Sequence, residues 1–274
     1  MRPWVYGVVG VVGVVAGLGS AGGLGSVAPV AAVGAAGAAG DRAGAADGPS
    51  GGPRGGAVGG GPAGWGGAPA GFAALREVDP SVRQDMRYAS ARNFTGAPVP
   101  GYEEPVCLLS RPAAEALRRA QRGLSRRGYS LVLYDCYRPQ RAVDHFVRWA
   151  ADAGDQSTKA AYYPRVEKSR LVAEGYIAER SGHSRGSAVD VGLTGPGGLP
   201  LDMGTPFDFF DPLSHAEHPG VGAEALANRR VLRAALEEQG FTGLREEWWH
   251  FRLVQEPYPA RYFDFPVRSA AVRP

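Results

Sequence analysis

The sequence contains little cysteine and little net charge, and each shortage excludes a class of protein. Among 274 residues only Cys107 and Cys136 are cysteines, and neither has a second cysteine nearby, so they do not form a zinc-knuckle motif. The formal net charge is +3, which offers no electrostatic argument for binding nucleic acid. We therefore expect no nucleic-acid partner.

Charge is scarcest in about the first quarter of the chain. Residues 1–71 contain five charged side chains and 24 of the 41 glycines, without the Gly-X-Y period of collagen. This composition excludes a single globule that spans the whole sequence. It leaves residues 72–274, with normal proportions of charged, aromatic and leucine residues, as one domain large enough for a sizeable core.

The start of the chain carries a short apolar run. Residues 8–18 are uncharged and about as long as the apolar core of a signal peptide, and small residues follow them. Frequent glycine and Pro29 argue against a membrane-spanning helix, which needs about 20 predominantly apolar residues. We expect residues 1–39 to be a signal peptide, with a membrane anchor as the alternative, and residues 40–71 to be a disordered Gly/Ala/Pro-rich linker.

The leader predicts export, so the protein would be secreted or associated with the cell envelope. Export would place the two cysteines in an oxidising compartment, where disulfides form and persist. One disulfide between Cys107 and Cys136 is one interpretation, and two buried thiols are the other. The sequence alone leaves both open.

Apolar periodicity divides the domain into helices and strands. Helical spacing, with proline near the start in two cases, predicts helices over 112–127, 139–151 and 223–239. Runs rich in β-branched and aromatic residues predict strands over 129–134, 188–193 and 248–254. Because helices and strands interleave irregularly, we expect an α+β fold with a mainly antiparallel sheet flanked by helices.

A histidine and a carboxylate lie on either side of a loop-to-strand junction. His183 is in a polar loop, SGHSRG, that runs into the predicted strand carrying Asp190. A carboxylate between Val189 and Val191 needs either solvent or a cation, because burying an unpaired charge is costly. A metal ion would supply that cation.

A second group of polar residues is EEWWH, residues 246–250. Aromatic side chains that exclude water raise the pKa of a carboxylic acid, which helps Glu247 act as a general base near neutral pH. Two histidines and one carboxylate suit catalytic zinc, which keeps a fourth position for water. Glu247 and His250 would lie on opposite faces of an ideal strand, so a bulge or a strand end is required. The spacing leaves the metal site as one interpretation among several.

Arg138 follows a predicted strand in the sequence YDCYRP, at a junction of the kind that often displays functional side chains. One interpretation is that its guanidinium stabilises an oxyanion. The other is a surface salt bridge with Asp135 or another acid, and the local sequence favours this second interpretation.

Several segments of the domain together resemble the VanX-type D-alanyl-D-alanine dipeptidases, zinc enzymes related to the D,D-carboxypeptidases that trim peptidoglycan stems. The segments are YASARNFTG, YDCYRPQRAV, SGHSRGSAVDVGL, DMGTPFDFFDPLSH, EEWWHFRL, EPYP and YFDFPV. The likeness runs in matching order from about residue 82 to residue 267, which is nearly the whole predicted domain.

The resemblance implies hydrolysis of the dipeptide D-alanyl-D-alanine to two D-alanines at one zinc ion per chain. His183, Asp190 and His250 would be the zinc ligands, with water completing the site. Glu247 would be the general base that takes the proton of the water and later passes it to the leaving amine. Arg138 would stabilise the tetrahedral oxyanion.

The resemblance also implies residues that bind the two ends of the dipeptide. Asp208 and Tyr88 would bind its free ammonium group, and Ser181 would contact its carboxylate end. A closed pocket that recognises both termini would explain a length limit of two residues. No obligate protein partner is implied.

The expected export separates this chain from the better-known intracellular relatives, which remove D-Ala-D-Ala from the cytosolic precursor pool and so confer vancomycin resistance. An exported enzyme cannot deplete that pool, so dipeptide salvage or cell-wall turnover fits better. A Cys107–Cys136 disulfide would brace the loop that holds Arg138. The alternatives are a D,D-carboxypeptidase acting on stem peptides and a non-catalytic wall-binding module, and the presence of Glu247 argues against the module.

Overall fold

The computed structural model of the protein describes residues 67–272. The expected leader, 1–39, and most of the expected linker, 40–71, lie outside these residues. The last part of that linker lies inside them, and there the Ala68 amide donates to the carbonyl of Ala271 and Tyr258 donates to the carbonyl of Ala70. No helix within 67–272 combines the length and the apolar character needed to cross a membrane.

The described part of the chain contains helices and strands in an irregular order. The helices are α1 (Leu75–Val78), α2 (Arg111–Ser125), α3 (Gln140–Ala151), α4 (Lys159–Tyr162) and α5 (Ala223–Glu237). The strands are β1 (Phe72–Ala74), β2 (Arg83–Gln84), β3 (Leu108–Ser110), β4 (Ser130–Asp135), β5 (Ala188–Thr194), β6 (Phe241–Gly243) and β7 (His250–Leu253).

Five of the strands form the main sheet, in the order β2-β4-β5-β7-β6. All neighbouring pairs in it are antiparallel except β2 and β4, which are parallel. Strands β1 and β3 form a separate antiparallel pair. Helices α2 and α5 contact each other, and they also contact β4, β5 and β6. The expected α+β class with a mainly antiparallel sheet is confirmed.

Helix α2 shows why periodicity located the helices well. Its buried side chains include Ala113, Leu117, Ala120 and Leu124, which are spaced three or four positions apart and so lie on one face. Proline occupies the first turn, where its missing N–H costs nothing. The chain leaves the helix through Gly128 at a φ of 80°.

Strand β5 is the centre of the sheet, and all seven of its residues are buried. Alternate side chains of a strand point to opposite faces, so Val189, Val191 and Leu193 share one face and Asp190 lies on the other. A strand buried on both faces brings that carboxylate into a place without bulk water.

Strand β7 begins two residues later than the sequence predicts. The prediction was residues 248–254, but Trp248 and Trp249 form a turn and the strand starts at His250. The Trp248 amide donates to the carbonyl of Ser214, and its indole N–H donates to Thr205, so Trp248 is bound to another loop. Aromatic composition predicts a strand but does not predict this long-range contact.

Cys107 and Cys136 form a disulfide with a Cα–Cα distance of 5.3 Å. Cys107 directly precedes β3 and Cys136 directly follows β4, so the bond joins the β1–β3 pair to the main sheet close to the YRP turn. Of the two interpretations, the structure has the disulfide.

Candidate active site

One cavity is lined by all eight residues singled out from the sequence. Its volume is about 180 Å³, which is small beside the roughly 300–1,000 Å³ usual for small-molecule sites. A cavity of this size suits a small ligand. The eight residues are Tyr88, Arg138, Ser181, His183, Asp190, Asp208, Glu247 and His250.

Strand register brings three chemically active residues side by side. Asp190 on β5 is the direct partner of His250 on β7 and, across an irregularity in the ladder, of Asp135 on β4. Directly opposite residues of an antiparallel pair point to the same face, with Cβ atoms roughly 5 Å apart. The sheet therefore presents an acid, a second acid and an imidazole in one row.

His183, Asp190 and His250 bring three ligand atoms together. The distances are 3.0 Å from His183 Nε2 to His250 Nδ1, 3.2 Å from His183 Nε2 to Asp190 Oδ1, and 3.1 Å from His250 Nδ1 to Asp190 Oδ1. Zinc bound by nitrogen and oxygen at about 2.0–2.2 Å needs ligand atoms a little over 3 Å apart. The set therefore fits a small divalent cation that takes two imidazoles and one carboxylate.

The tautomer of the neutral His183 ring is set by the hydrogen bond of Nδ1. Nδ1 lies 2.6 Å from the carbonyl oxygen of Cys136, and a carbonyl can only accept, so Nδ1 carries the proton. The lone pair is then on Nε2, which faces Asp190 and His250. Such a hydrogen bond from the far nitrogen is the usual support of a metal-binding histidine.

Arg138 is held by two buried carboxylates. Its Nε donates to Asp135 at 2.9 Å and its Nη2 donates to Asp190 at 3.3 Å. Tyr102 donates to the other oxygen of Asp135 at 2.7 Å. The sequence favoured a surface salt bridge with Asp135; the salt bridge exists, but it is buried and belongs to the cavity wall, so the surface location was wrong.

Aromatic rings surround the guanidinium. The Cζ atom of Arg138 lies 5.1 Å from the ring centre of Tyr88 and 5.3 Å from that of Phe146. Phe146 packs in turn on Phe94 at 4.7 Å between ring centres. These rings exclude water, which strengthens the interaction of Arg138 with any negative charge in the cavity.

Glu247 lies outside β7, just before the Trp248–Trp249 turn that leads into the strand, so it can share a side with His250 without a bulge in the sheet. Its Oε2 is 4.0 Å from His250 Nδ1. Burial raises the pKa of Glu247 to about 7, and the negative charge of Asp190 adds to this, while His250 and Arg138 oppose it. A carboxyl with such a pKa can both accept and return a proton near neutral pH.

Asp208 lies in the cavity wall with its backbone at a φ of 60°, the only non-glycine residue with positive φ in residues 67–272. Its carboxylate accepts a hydrogen bond from Tyr88 at 3.0 Å. Burial raises the pKa of Asp208 well above its usual range, and the negative charge of Asp190 raises it further. Among the described residues no basic side chain forms an ion pair with Asp208.

Ser181 caps the turn that carries His183. Its hydroxyl oxygen accepts from the His183 amide at 3.3 Å, which leaves the hydroxyl hydrogen free to donate into the cavity. The adjacent Arg180 also lines the cavity. Its Cζ lies 5.2 Å from the ring centre of Tyr262, and in the described part of the chain it forms no ion pair.

Three residues that build the site were missed or given no role by sequence reasoning. Asp135 was considered only as a partner for Arg138, and Arg180 was not considered although it directly precedes the SGH motif. Arg229 on α5 is buried and hydrogen-bonds to the loop that carries Asp208. Its position in the pair RR of an amphipathic helix resembles an ordinary exposed charge, so the sequence held no signal for it.

Two imidazoles and a carboxylate around one point, beside a carboxylic acid with a pKa near neutrality, define a metal-dependent hydrolase. The profile of the Peptidase_M15 family, described as D-ala-D-ala dipeptidase, matches residues 68–268. The chain therefore belongs to the Peptidase_M15 family and is a metallopeptidase of the VanX type.

Curated relatives match over nearly their whole length. The chain is 47% identical over 199 residues to the D-alanyl-D-alanine dipeptidase of Enterococcus faecalis, covering 72% of this chain and 98% of that protein. It is 43% identical over 197 residues to the D-alanyl-D-alanine dipeptidase of Streptomyces coelicolor, with the same coverage.

A likeness to a solved structure is much weaker. The D,D-dipeptidase VanXYg in complex with a D-Ala-D-Ala phosphinate analog has 22% sequence identity and a TM-score of 0.31, over 58% of this chain and 56% of that one.

Proposed function

We propose that this protein hydrolyses the dipeptide D-alanyl-D-alanine to two D-alanines with one zinc ion per chain. The observation that carries the proposal is the convergence of His183, Asp190 and His250 to within 3.2 Å of one another, in a small cavity that also contains Glu247. Family membership names the substrate class, and the donor set indicates the metal.

His183, Asp190 and His250 would hold the zinc. When bound, zinc acts as a Lewis acid on a carbonyl and lowers the pKa of water to about 7. The carbonyl of Cys136 keeps the imidazole of His183 in the tautomer that binds a metal. Arg138 balances the charge of Asp190 from the side away from the imidazoles.

Glu247 would act as the general base. Its pKa of about 7 lets the carboxylate accept a proton from the attacking water and return it to the leaving amine. Trp248 and Trp249, both buried, exclude bulk water from this acid. The proton therefore moves between the water, Glu247 and the amine.

Arg138 would stabilise the negative oxygen that forms when the peptide carbonyl is attacked. Its guanidinium is fixed before substrate arrives, because Asp135 and Asp190 each hold one of its nitrogens. A donor that is already oriented needs no reorganisation during the reaction. The aromatic wall of Tyr88 and Phe146 keeps the local dielectric low.

The two ends of the dipeptide would be bound by opposite charges. Asp208, with Tyr88 beside it, would accept the ammonium group, whose positive charge would favour the ionised form of this buried acid. Ser181 donates its hydroxyl hydrogen to the carboxylate, and Arg180 adds a positive charge on the same side. A blocked terminus leaves one of these buried groups without a partner, which disfavours longer peptides.

The enzyme would act outside the cytosol, in dipeptide salvage or cell-wall turnover. The disulfide between Cys107 and Cys136 supports this, because such bonds are rare in cytosolic proteins. The apolar run at residues 8–18 supports an export signal, or an anchor that attaches the enzyme to the membrane. Vancomycin resistance by depletion of the cytosolic pool does not fit this location.

The substrate is tested by incubating the purified protein with D-Ala-D-Ala and, separately, with N-acetyl-D-Ala-D-Ala, and measuring released D-alanine. We expect rapid release from the free dipeptide and much slower release from the acylated peptide. Release from the acylated peptide alone would instead identify a D,D-carboxypeptidase. No release from either peptide by the zinc-loaded protein would favour the non-catalytic module.

The metal is tested by removing it with a chelator and adding back Zn²⁺ in increasing amounts. Activity should disappear and return in full at about one zinc per chain, counted by elemental analysis. Zinc binding that is unaffected by His183→Ala and His250→Ala would refute the ligand assignment.

A further inference from the structure

Arg229 on α5 is a buried cation without an acidic partner. Its side chain is 3% exposed, and in residues 67–272 it forms no ion pair. Instead it donates to three main-chain carbonyls: Nε to Met203 at 2.7 Å, Nη1 to His215 at 2.7 Å and Nη2 to Leu213 at 3.1 Å. Burying a charge is costly, so this arrangement calls for an explanation beyond packing.

The three carbonyls belong to the two ends of one segment, residues 203–215, which we call the Asp208 segment. Arg229 joins Met203 at its start to Leu213 and His215 at its end, and Asp208 lies between them. Asp208 adopts a φ of 60°, a conformation costly for a residue with a side chain, which persists only when its surroundings impose it.

A second set of contacts connects the Asp208 segment to the general base. Within the segment, Thr205 and Ser214 share a hydrogen bond between hydroxyls at 3.0 Å. The indole N–H of Trp248 donates to Thr205 at 2.9 Å, and its amide donates to the Ser214 carbonyl at 3.0 Å. Trp248 directly follows Glu247, and the guanidinium of Arg229 lies 5.9 Å from the Trp248 ring centre.

We propose that Arg229 is a positioning residue that sets the separation between Asp208, at the ammonium end of the substrate, and Glu247, at the bond that is cut. The role rests on the proposed function. A planar guanidinium suits it, because its five donors can bind several carbonyls in fixed directions. Arg229 touches no substrate and acts only through the Asp208 segment and Trp248.

The first test compares Arg229→Met with Arg230→Met. Arg230 is the next residue of α5, but it is exposed and paired with Glu217, so it is a matched control. The measured quantity is the ratio of kcat/KM for D-Ala-D-Ala to kcat/KM for N-acetyl-D-Ala-D-Ala. We expect this ratio to fall about tenfold or more in Arg229→Met and to stay unchanged in Arg230→Met. A tenfold change corresponds to the loss of about one hydrogen bond to a charged group, here between Asp208 and the substrate ammonium.

Two further variants separate positioning from loss of fold. Arg229→Lys keeps the charge but fewer donors, and should recover part of the ratio. Thr205→Val removes the hydrogen bonds that the Trp248 indole and the Ser214 hydroxyl make to Thr205, while the Trp248 amide still binds the Ser214 carbonyl and the buried charge stays. It should lower the ratio in the same direction. A simple folding defect would lower activity on both peptides equally and leave the ratio unchanged, which would overturn the proposal.

Amide hydrogen exchange provides a readout that does not depend on catalysis. In Arg229→Met, exchange should become faster in residues 203–215 and 247–249 and remain as in the wild type in α2. Unchanged exchange in the Asp208 segment would overturn the positioning role. If the wild-type protein fails to hydrolyse D-Ala-D-Ala, the proposed function fails, and the exchange comparison still decides whether Arg229 holds this segment.

Discussion

Replacing Cys107 and Cys136 by alanine is expected to destabilise the domain through its unfolded state. The disulfide closes a loop between residues separated by 29 positions. Loop-closure entropy for about 29 residues is about 12 cal/mol/K, which corresponds to about 3.6 kcal/mol at 25 °C. For a domain of this size, about 2–4 °C of melting temperature accompanies each kcal/mol, so Tm should fall by about 7–14 °C.

The protein is purified from an oxidising compartment, and its thermal unfolding is monitored by circular dichroism. Thiol labelling counts its free cysteines. Each single substitution, Cys107→Ala or Cys136→Ala, opens the same loop and should lose nearly as much stability as the double variant. Two free thiols in the wild-type protein would refute the bond. Strictly additive losses from the single variants would show that packing, and not the crosslink, stabilises the domain.

The same substitution should also weaken metal binding. The Cys136 carbonyl accepts the hydrogen bond from His183 Nδ1, and the disulfide fixes the position of that carbonyl. Losing such an outer contact typically costs about 10–100-fold in metal affinity. Competition with a chelator of known affinity measures it, and unchanged zinc affinity in the double variant would show that the chain around Cys136 is rigid without the bond.

Three other predictions concern single residues. Glu247→Gln should retain zinc by elemental analysis but lose about three orders of magnitude or more in kcat, because the amide cannot accept the proton. Arg180→Met should raise KM for D-Ala-D-Ala about tenfold and reduce discrimination against the C-terminal amide of the dipeptide, measured from initial rates. Gly186→Ala should lower the free energy of unfolding by about 3 kcal/mol in urea titration, since Gly186 has a φ of 79° and a Cβ there would lie 2.3 Å from the Phe72 ring.

Each of these has a matched control or an outcome that contradicts it. Gly175→Ala, at a φ of 83° but in open space, should cost only about 1 kcal/mol, and an equal loss at both glycines would exclude the Phe72 contact. Retained turnover in Glu247→Gln would end its role as base. If Arg180→Met raises KM equally for D-Ala-D-Ala and for its C-terminal amide, Arg180 does not bind the substrate carboxylate.

Local pattern predicted α2, α3, α5, β4, β5 and β7 but none of the two- to four-residue elements α1, α4, β1, β2, β3 and β6. Long-range contact explains why the start of β7 was misplaced. Helix α2 was expected at 112–127 and occupies 111–125, because its apolar spacing and its proline act within the helix itself. Strand β7 was expected to include Trp248, whose aromatic ring suits a strand. Hydrogen bonds to Thr205 and Ser214, more than 30 positions away, take Trp248 out of the sheet.

The site residues show the same division. Spacing alone left the metal site as one interpretation among several, and the motif resemblance selected His183, Asp190 and His250. The structure brings these three together, while their individual roles stay predictions. Arg229 could not be predicted, because its partners are main-chain carbonyls, which leave no mark on the sequence.

The sequence by itself determined the composition boundary near residue 71, the three longest helices, strands β4, β5 and β7, the pair of cysteines and the family to which the motifs belong. These are properties of residues close together in the chain. Tertiary structure alone decided that Asp190 faces His250 on the neighbouring strand, that the cysteines are bonded and that Arg138 is held by two buried acids. The reason is strand register: a shift of one residue would turn every side chain of β5 to the opposite face and disperse the site.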